Sequence, residues 1–140
     1  TLADIPSIAV SLAAYRDLDF EAAASCAVDL AHTVLDRGLP RSVFLNINVP
    51  RDAEADTERM VCKLGRRNYG REVEKKRDPR NRPYYWLGGK ELGFDDIPGS
   101  DCNVIADGKL SVTPVHLDLT HYHFMREMED WEGVGGFSKK

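Results

Sequence analysis

Two hydrophobic periods run through this chain, and the places where one gives way to the other mark its elements. Ile5-Pro6-Ser7-Ile8-Ala9-Val10-Ser11-Leu12 is a nearly unbroken apolar run, the pattern of a parallel strand buried on both faces, with the strand over Ile8 to Leu12. From Phe20 the period lengthens. Phe20, Ala23, Ala24, Ala27, Leu30, Ala31, Val34 and Leu35 recur at helical spacing and predict one apolar helix face. Asp19 stands where an N-cap belongs, Glu21 falls in the first turn, and Gly38 follows as the residue past the end. Val43 to Val49 returns to alternation, with Asn46 and Asn48 set against Leu45, Ile47 and Val49, and stops at Pro50. Strand, helix, strand in this order predicts a βαβ unit with a right-handed crossover, and hence a parallel sheet.

Beyond a polar linker (Arg51 to Glu58) the pattern changes. Arg59 to Tyr69 and Arg82 to Leu87 read as strands on either side of a basic, turn-rich segment, which predicts a long hairpin or arm. Prolines at 79 and 83 stiffen the backbone around Arg80. The consecutive aromatics Tyr84, Tyr85 and Trp86 occupy both faces of their strand, so the strand is expected to be packed on two sides, by its own domain and by a partner. Gly88 to Gly99 reads as a loop and Leu110 to Leu119 as the last strand. His121 to Trp131 reads as a short helix ahead of a Gly-rich tail (Gly133 to Lys140).

The 140 residues, 42% hydrophobic and 30% charged, suit one globular domain with a core that needs no staples. No apolar run approaches the ~18 residues of a membrane span, and no signal-peptide pattern opens the chain. Cys26, Cys62 and Cys102 are odd in number and widely spaced in apolar contexts, which predicts reduced core thiols in a cytoplasmic protein. The net charge of −4 conceals an asymmetry. Lys63 to Arg82 holds nine basic residues against three acidic, leaving ten against twenty elsewhere, so a basic arm projects from an acidic body. The chain opens without Met, one loop ahead of a central strand, which predicts a piece of something longer.

Candidate chemistry is sparse. His116, His121 and His123 with Asp118 would supply metal-ligand types, but alternation groups His116 with Asp118 and turns His121 away, and the i, i+4 spacing of helix-borne zinc pairs is missing. Asp95 and Asp96 form a carboxylate pair in a glycine- and proline-flanked loop and read as solvated. Asn46 and Asn48 share a strand face and could bond a ligand or neighbouring loop backbone. His32 reads as a boundary polar residue of the helix. Ser7, Ser11 and Ser111 have no nucleophile-elbow context, and there is no phosphate loop or dinucleotide fingerprint. Arg66, Arg67, Lys75 to Arg77, Arg80 and Arg82 could grip phosphates beside the aromatics, yet the overall negative charge and the separation of basic run from aromatics argue against a nucleic-acid surface.

Taken in order, Ile5 to Leu12, Leu45-Asn46-Ile47-Asn48-Val49-Pro50, Lys63 to Tyr69, Asp78-Pro79-Arg80 through Gly89, Gly99-Ser100-Asp101 and Leu110 to Thr120 resemble the C-terminal half of the SurE family of survival proteins and 5′-nucleotidases. The resemblance implies the C-terminal half of a Rossmann-like α/β sheet with a protruding β-hairpin arm. Within a partial domain spanning 1–140 it implies a βαβ part over 5–50, an arm over 59–89, a last strand over 110–120 and a C-terminal helix and tail over 121–140. It implies hydrolysis of nucleoside monophosphates, dependent on a divalent ion of the Mg or Mn type, and assembly into dimers or tetramers through arm and C-terminus. In the family an adjacent Asp pair, a Ser and an Asn hold the ion, and all precede the segment matching Ile5. Catalytic residues and metal ligands are accordingly expected outside this chain, leaving it inactive alone, with an uncovered sheet edge. Arg80, Tyr84 and then His116 are the candidates for the substrate entrance, with subunit packing as their other role. The rival reading is a non-catalytic assembly module.

Overall fold

The computed structural model describes residues 5–16, 18–69, 72–87 and 91–134. Its elements in chain order are β1 (Ile8–Ala13), α1 (Glu21–Arg37), β2 (Val43–Pro50), β3 (Arg59–Val61), β4 (Arg67–Tyr69), β5 (Val73–Arg77), β6 (Pro83–Leu87), β7 (Glu91–Phe94), α2 (Asp101–Ala106), β8 (Leu110–His116) and α3 (Tyr122–Met128). The fold is α/β. Four strands form the central sheet in the order β1-β2-β8-β3. The β1 and β2 strands are parallel across the α1 crossover, with Val10 opposite Ile47. The sheet as a whole is mixed, because β8 runs antiparallel to β2 and parallel to β3.

Alternation divides this sheet into two unlike faces. Ile8, Val10 and Leu12 of β1, Leu45, Ile47 and Val49 of β2, and Leu110 and Val112 of β8 all gather on one side, where Ala23 and Cys26 of α1 complete the core. Ile47 and Val49 are wholly buried there. The opposite face is polar: Asn46 stands opposite Thr113, and Asn48 opposite Ser111, in the β2–β8 register. Arg59 in β3 reaches across the apolar side to Asp29 of α1, with Nη2 donating to Oδ2 at 2.7 Å.

Several expectations need correction. Phe20, Ala24 and Leu35 belong by spacing to the apolar face of α1, but they are exposed. A 17-residue helix on a four-stranded sheet has its stripe covered only where strands lie beneath it. Asp19 does accept from the Glu21 N–H at 2.9 Å, one residue ahead of the Phe20 cap position. Arg59 to Tyr69 is not one strand. Its first three residues join the central sheet, Lys63 bridges Ser100, and Arg67–Tyr69 pairs instead with β7 inside the supposed loop.

The arm is formed by β5 and β6, so its inner strand arises in the segment read as turn. Its turn is held by Asp78, whose Oδ1 accepts from the N–H groups of Arg80 and Arg82 at 2.9 and 2.8 Å. Asn81 takes the left-handed conformation there (φ 63°), which asparagine tolerates well. Tyr84, Tyr85 and Trp86 are not packed on both sides by their own domain: all three are substantially exposed. Their recorded contacts with the arm are cross-strand, Lys75 lying over the Tyr85 ring and Lys76 over Trp86 at about 6 Å.

The last strand ends at His116 rather than Leu119, and α3 is shorter than the periodicity suggested. Gly88, Gly89 and the tail from residue 135 lie outside the described residues.

Candidate functional site

The carboxyl ends of paired parallel strands are where open α/β sheets bind ligands, and a cleft of 420 Å³ opens there. Ser11 and Leu12 of β1, with Asn46 and Asn48 of β2, form its floor. The following loop contributes Tyr15, β4 contributes Arg67, β7 contributes Phe94, and α2 contributes Asp101 and Cys102. The polar sheet face described above is thus partly the floor of this cleft.

α2 is held against the sheet by a dense local network. Ser100 caps it, its Oγ accepting from the Asn103 N–H at 3.3 Å. Asp101 Oδ1 accepts from the N–H groups of Gly65 and Cys102 at 2.6 and 2.8 Å. Lys63 adds two backbone bonds, donating to Gly99 and accepting from Asp101. The close approach requires glycine at 65: a Cβ there would lie 2.7 Å from Cys102 Sγ. On the floor, Asn48 Nδ2 donates to Ser111 Oγ at 3.1 Å. Asn48 therefore satisfies a neighbouring strand side chain, and not the loop backbone. Cys26 and Cys62 are buried, as core thiols should be, whereas Cys102 reaches the cleft. Burial and Asp101 push the Cys102 thiol above its ordinary pKa, while Arg67 pulls in the opposite direction.

Asn46, Asn48 and Arg67, named from the sequence as possible ligand contacts, line the cleft, but the three candidates for the substrate entrance lie elsewhere. Arg80 is in the turn of the arm and Tyr84 on β6. His116 pairs with Val43, at the end of the sheet where β2 begins, away from the cleft. None of the three lines the cleft. The solvated carboxylate pair proves to be partnered: Asp95 accepts from Asn68 Nδ2 at 2.7 Å and meets Arg66 Nε at 3.2 Å, and Asp96 accepts from Asn103 at 2.6 Å. Each remaining histidine of the C-terminal group has a local task. His116 Nδ1 lies 3.1 Å from the Asp118 carbonyl, His121 Nδ1 caps α3 by accepting from the Phe124 N–H, and His123 meets Glu127. His32 is exposed on α1.

Asp118 is the most perturbed carboxylate. Hydrogen bonds from Thr120 and from the Tyr122 hydroxyl lower its pKa from 3.8 to about 2. A folded-state pKa below the unfolded one adds stability that is fully present above the unfolded value and is lost as pH falls through the folded value. The Asp118–Tyr122 tie is accordingly expected to release between about pH 4 and about 2. Tyr122 ring resonances followed by NMR on acidification would record it, and Asp118→Asn should abolish that transition. An unchanged transition in the variant would refute the assignment.

Asn46 and Asn48 of the cleft floor were legible as a shared strand face, but the α2 wall escaped sequence reasoning, although a signal was present. Ser100-Asp101 is an N-cap followed by a first-turn carboxylate, the ordinary opening of a helix.

The model of the family described as "Survival protein SurE" matches residues 1–71, just over half of the chain. This chain belongs to the SurE family. A protein of Geobacter sulfurreducens named 5′-nucleotidase SurE is 48% identical over 134 residues, covering 94% of this chain and 51% of the relative. One of Myxococcus xanthus with the same name is 42% identical over 139 residues, covering 99% and 52%. The crystal structure of the SurE protein from Aquifex aeolicus superposes with a TM-score of 0.71 at 36% identity, over 91% of this chain and 52% of that one. The SurE-family chain thus spans about half the length of the relatives it matches.

The divalent ion implied for SurE proteins does not fit the residues of this cleft. Asp101 is its one carboxylate, and Oδ1 is already committed to two backbone N–H groups. Among the described residues no group of three or more His, Cys, Asp or Glu is placed to hold a metal ion. None of the described helices is long and apolar enough to cross a membrane.

Proposed function

We propose that this SurE-family chain supplies the C-terminal part of a metal-dependent 5′-nucleotidase, a phosphoric monoester hydrolase acting on nucleoside monophosphates. The observation that carries the reading is the 48% identity, over 94% of the chain, to a protein named 5′-nucleotidase SurE. The cleft at the carboxyl ends of β1 and β2 supports it, since it offers a ligand-sized opening where such sheets bind substrates. In this reading a divalent ion of the Mg or Mn type is held by polypeptide beyond this segment, and the chain alone releases no phosphate. Arg80 and Tyr84 on the arm, and His116 at the end of β8, lie away from their own cleft and in the assembled enzyme border the substrate entrance of a neighbouring copy. The cytoplasm is its compartment, in keeping with three unpaired thiols.

The arm and the C-terminal segment join copies into a dimer or tetramer. The exposed Tyr84, Tyr85 and Trp86 favour this, because aromatic surface of that extent is typical of interface cores. The same exposure favours the second reading, a module that assembles without catalysing.

The test is complementation. This chain is purified with and without the N-terminal half of the Geobacter sulfurreducens relative, and phosphate release from AMP is followed with Mg²⁺ or Mn²⁺. Release by the pair, none by either part, and a sedimentation coefficient of a dimer or larger is the expected result. A complex that forms yet releases no phosphate would favour the assembly module instead, and a monomeric pair would remove the oligomer.

A further inference from the structure

Resting on the nucleotidase reading, we propose that the cleft is the nucleoside end of the substrate site, where Tyr15 and Phe94 stack on the base and the Asn46 carboxamide reads its edge. Tyr15 and Phe94 enter the cleft from separate elements, the loop after β1 and the strand β7. Tyr15 is 86% exposed and Phe94 40%, so their own chain leaves both with ring surface uncovered. Two aromatics on one cleft of this size suit a planar heterocycle, which gains stacking energy whatever its sequence of ring atoms.

The polar groups decide which end of a nucleotide is received. Asn48 is occupied by Ser111. Its neighbour on the same face, Asn46, is half-buried on the cleft floor, and its side chain makes no hydrogen bond among the described residues. A half-buried carboxamide offers one donor group and one acceptor at adjacent positions, and here both reach solvent, where a ligand can take the place of water. The complementary edge is an acceptor beside a donor, as N7 and the 6-amino group of adenine present it. Guanine and hypoxanthine present the same acceptor–donor pair at O6 and N1–H, so the amide suits a purine base without choosing among purines.

The charged groups of the cleft are one of each sign. Arg67 lies near enough to Cys102 to pull its thiol pKa down, and Asp101 Oδ1 is held by Gly65 and Cys102. A phosphate would meet a carboxylate beside a single guanidinium, whereas an adenosine group needs only the aromatics and the amide.

Adenosine, which has no phosphate, isolates this subsite. Titrated into the full chain and followed by ¹⁵N NMR, it is expected to shift Tyr15, Phe94 and the Asn46 side-chain amide. Inosine, whose O6 and N1–H offer the same pair, should bind comparably. Tyr15→Ala, at a position too exposed to carry the fold, and Asn46→Ala should each weaken adenosine binding about five-fold or more. Binding of ribose 5-phosphate without adenosine, no adenosine binding at all, or adenosine binding that neither variant weakens would overturn the assignment. The two readings fail separately. Adenosine binding lost in both variants, with no phosphate released after complementation, would leave the subsite standing and remove the nucleotidase. Phosphate release without adenosine binding would do the reverse.

Discussion

Ile47→Ala should destabilise the fold by about 2–5 kcal/mol. Ile47 is wholly buried at the centre of β2, with Val10 beside it on β1 and Val112 on β8. Alanine would remove three carbons where strands on both sides and α1 above prevent collapse, so the lost transfer energy and the cavity add together. Against a domain stability of about 5–15 kcal/mol, this is a large fraction. Urea unfolding followed by circular dichroism measures it. A variant whose midpoint stays at that of the parent would show that the core is centred elsewhere. Leu35→Ala, at 81% exposure on α1, is the internal control and should change the midpoint little.

The second large effect is expected at Gly65. Its backbone is not in the left-handed region, so the requirement for glycine is one of space alone. An added Cβ would lie 2.7 Å from Cys102 Sγ and 2.8 Å from Asp101 Oδ1, and the second atom is the one that accepts the Gly65 N–H. Gly65→Ala should cost about 1–3 kcal/mol through overpacking and push α2 off its seat, widening the cleft wall at Cys102. The cost should shrink by about 0.5 kcal/mol or more in a Cys102→Ala background, where the nearest atom is gone. Equal penalties in the two backgrounds would sink this account.

The first half of the sheet was legible because its signals were dense and local. The apolar run over Ile8 to Leu12 marked β1, although only Ile8, Val10 and Leu12 turn inward and its other face is exposed, so the strand is not buried on both sides. Ala23 and Val34 marked the buried stripe of α1, which Cys26 joins. Leu45, Ile47 and Val49 do the same for β2. The second half was harder because long-range pairing overrode local pattern. Arg59–Val61 was legible as a strand, but nothing local showed that it stops there and pairs with β8 in the central sheet instead of entering the arm. Val73–Arg77, rich in Lys and Arg, is a strand because Tyr84 to Trp86 lie opposite, with the Lys75 and Lys76 ammonium groups over the Tyr85 and Trp86 rings. The cleft was illegible for a related reason. Tyr15, Asn46, Arg67, Phe94 and Cys102 come from five segments, none of which forms a motif, and the topology alone assembles them.

The arm's turn bears on the order in which the molecule acquires its shape. Asp78 is bonded to Arg80 and Arg82, two and four positions away, and the β5–β6 ladder closes directly over it. Such a hairpin needs no distant residue and can zip within about 1–10 μs. The parallel β1–β2 ladder must wait for a whole helix to be threaded between its strands. In a refolding chain the aromatic arm is therefore expected to close ahead of the β1–β2 ladder, available for recognition by another copy before the interior behind it has closed.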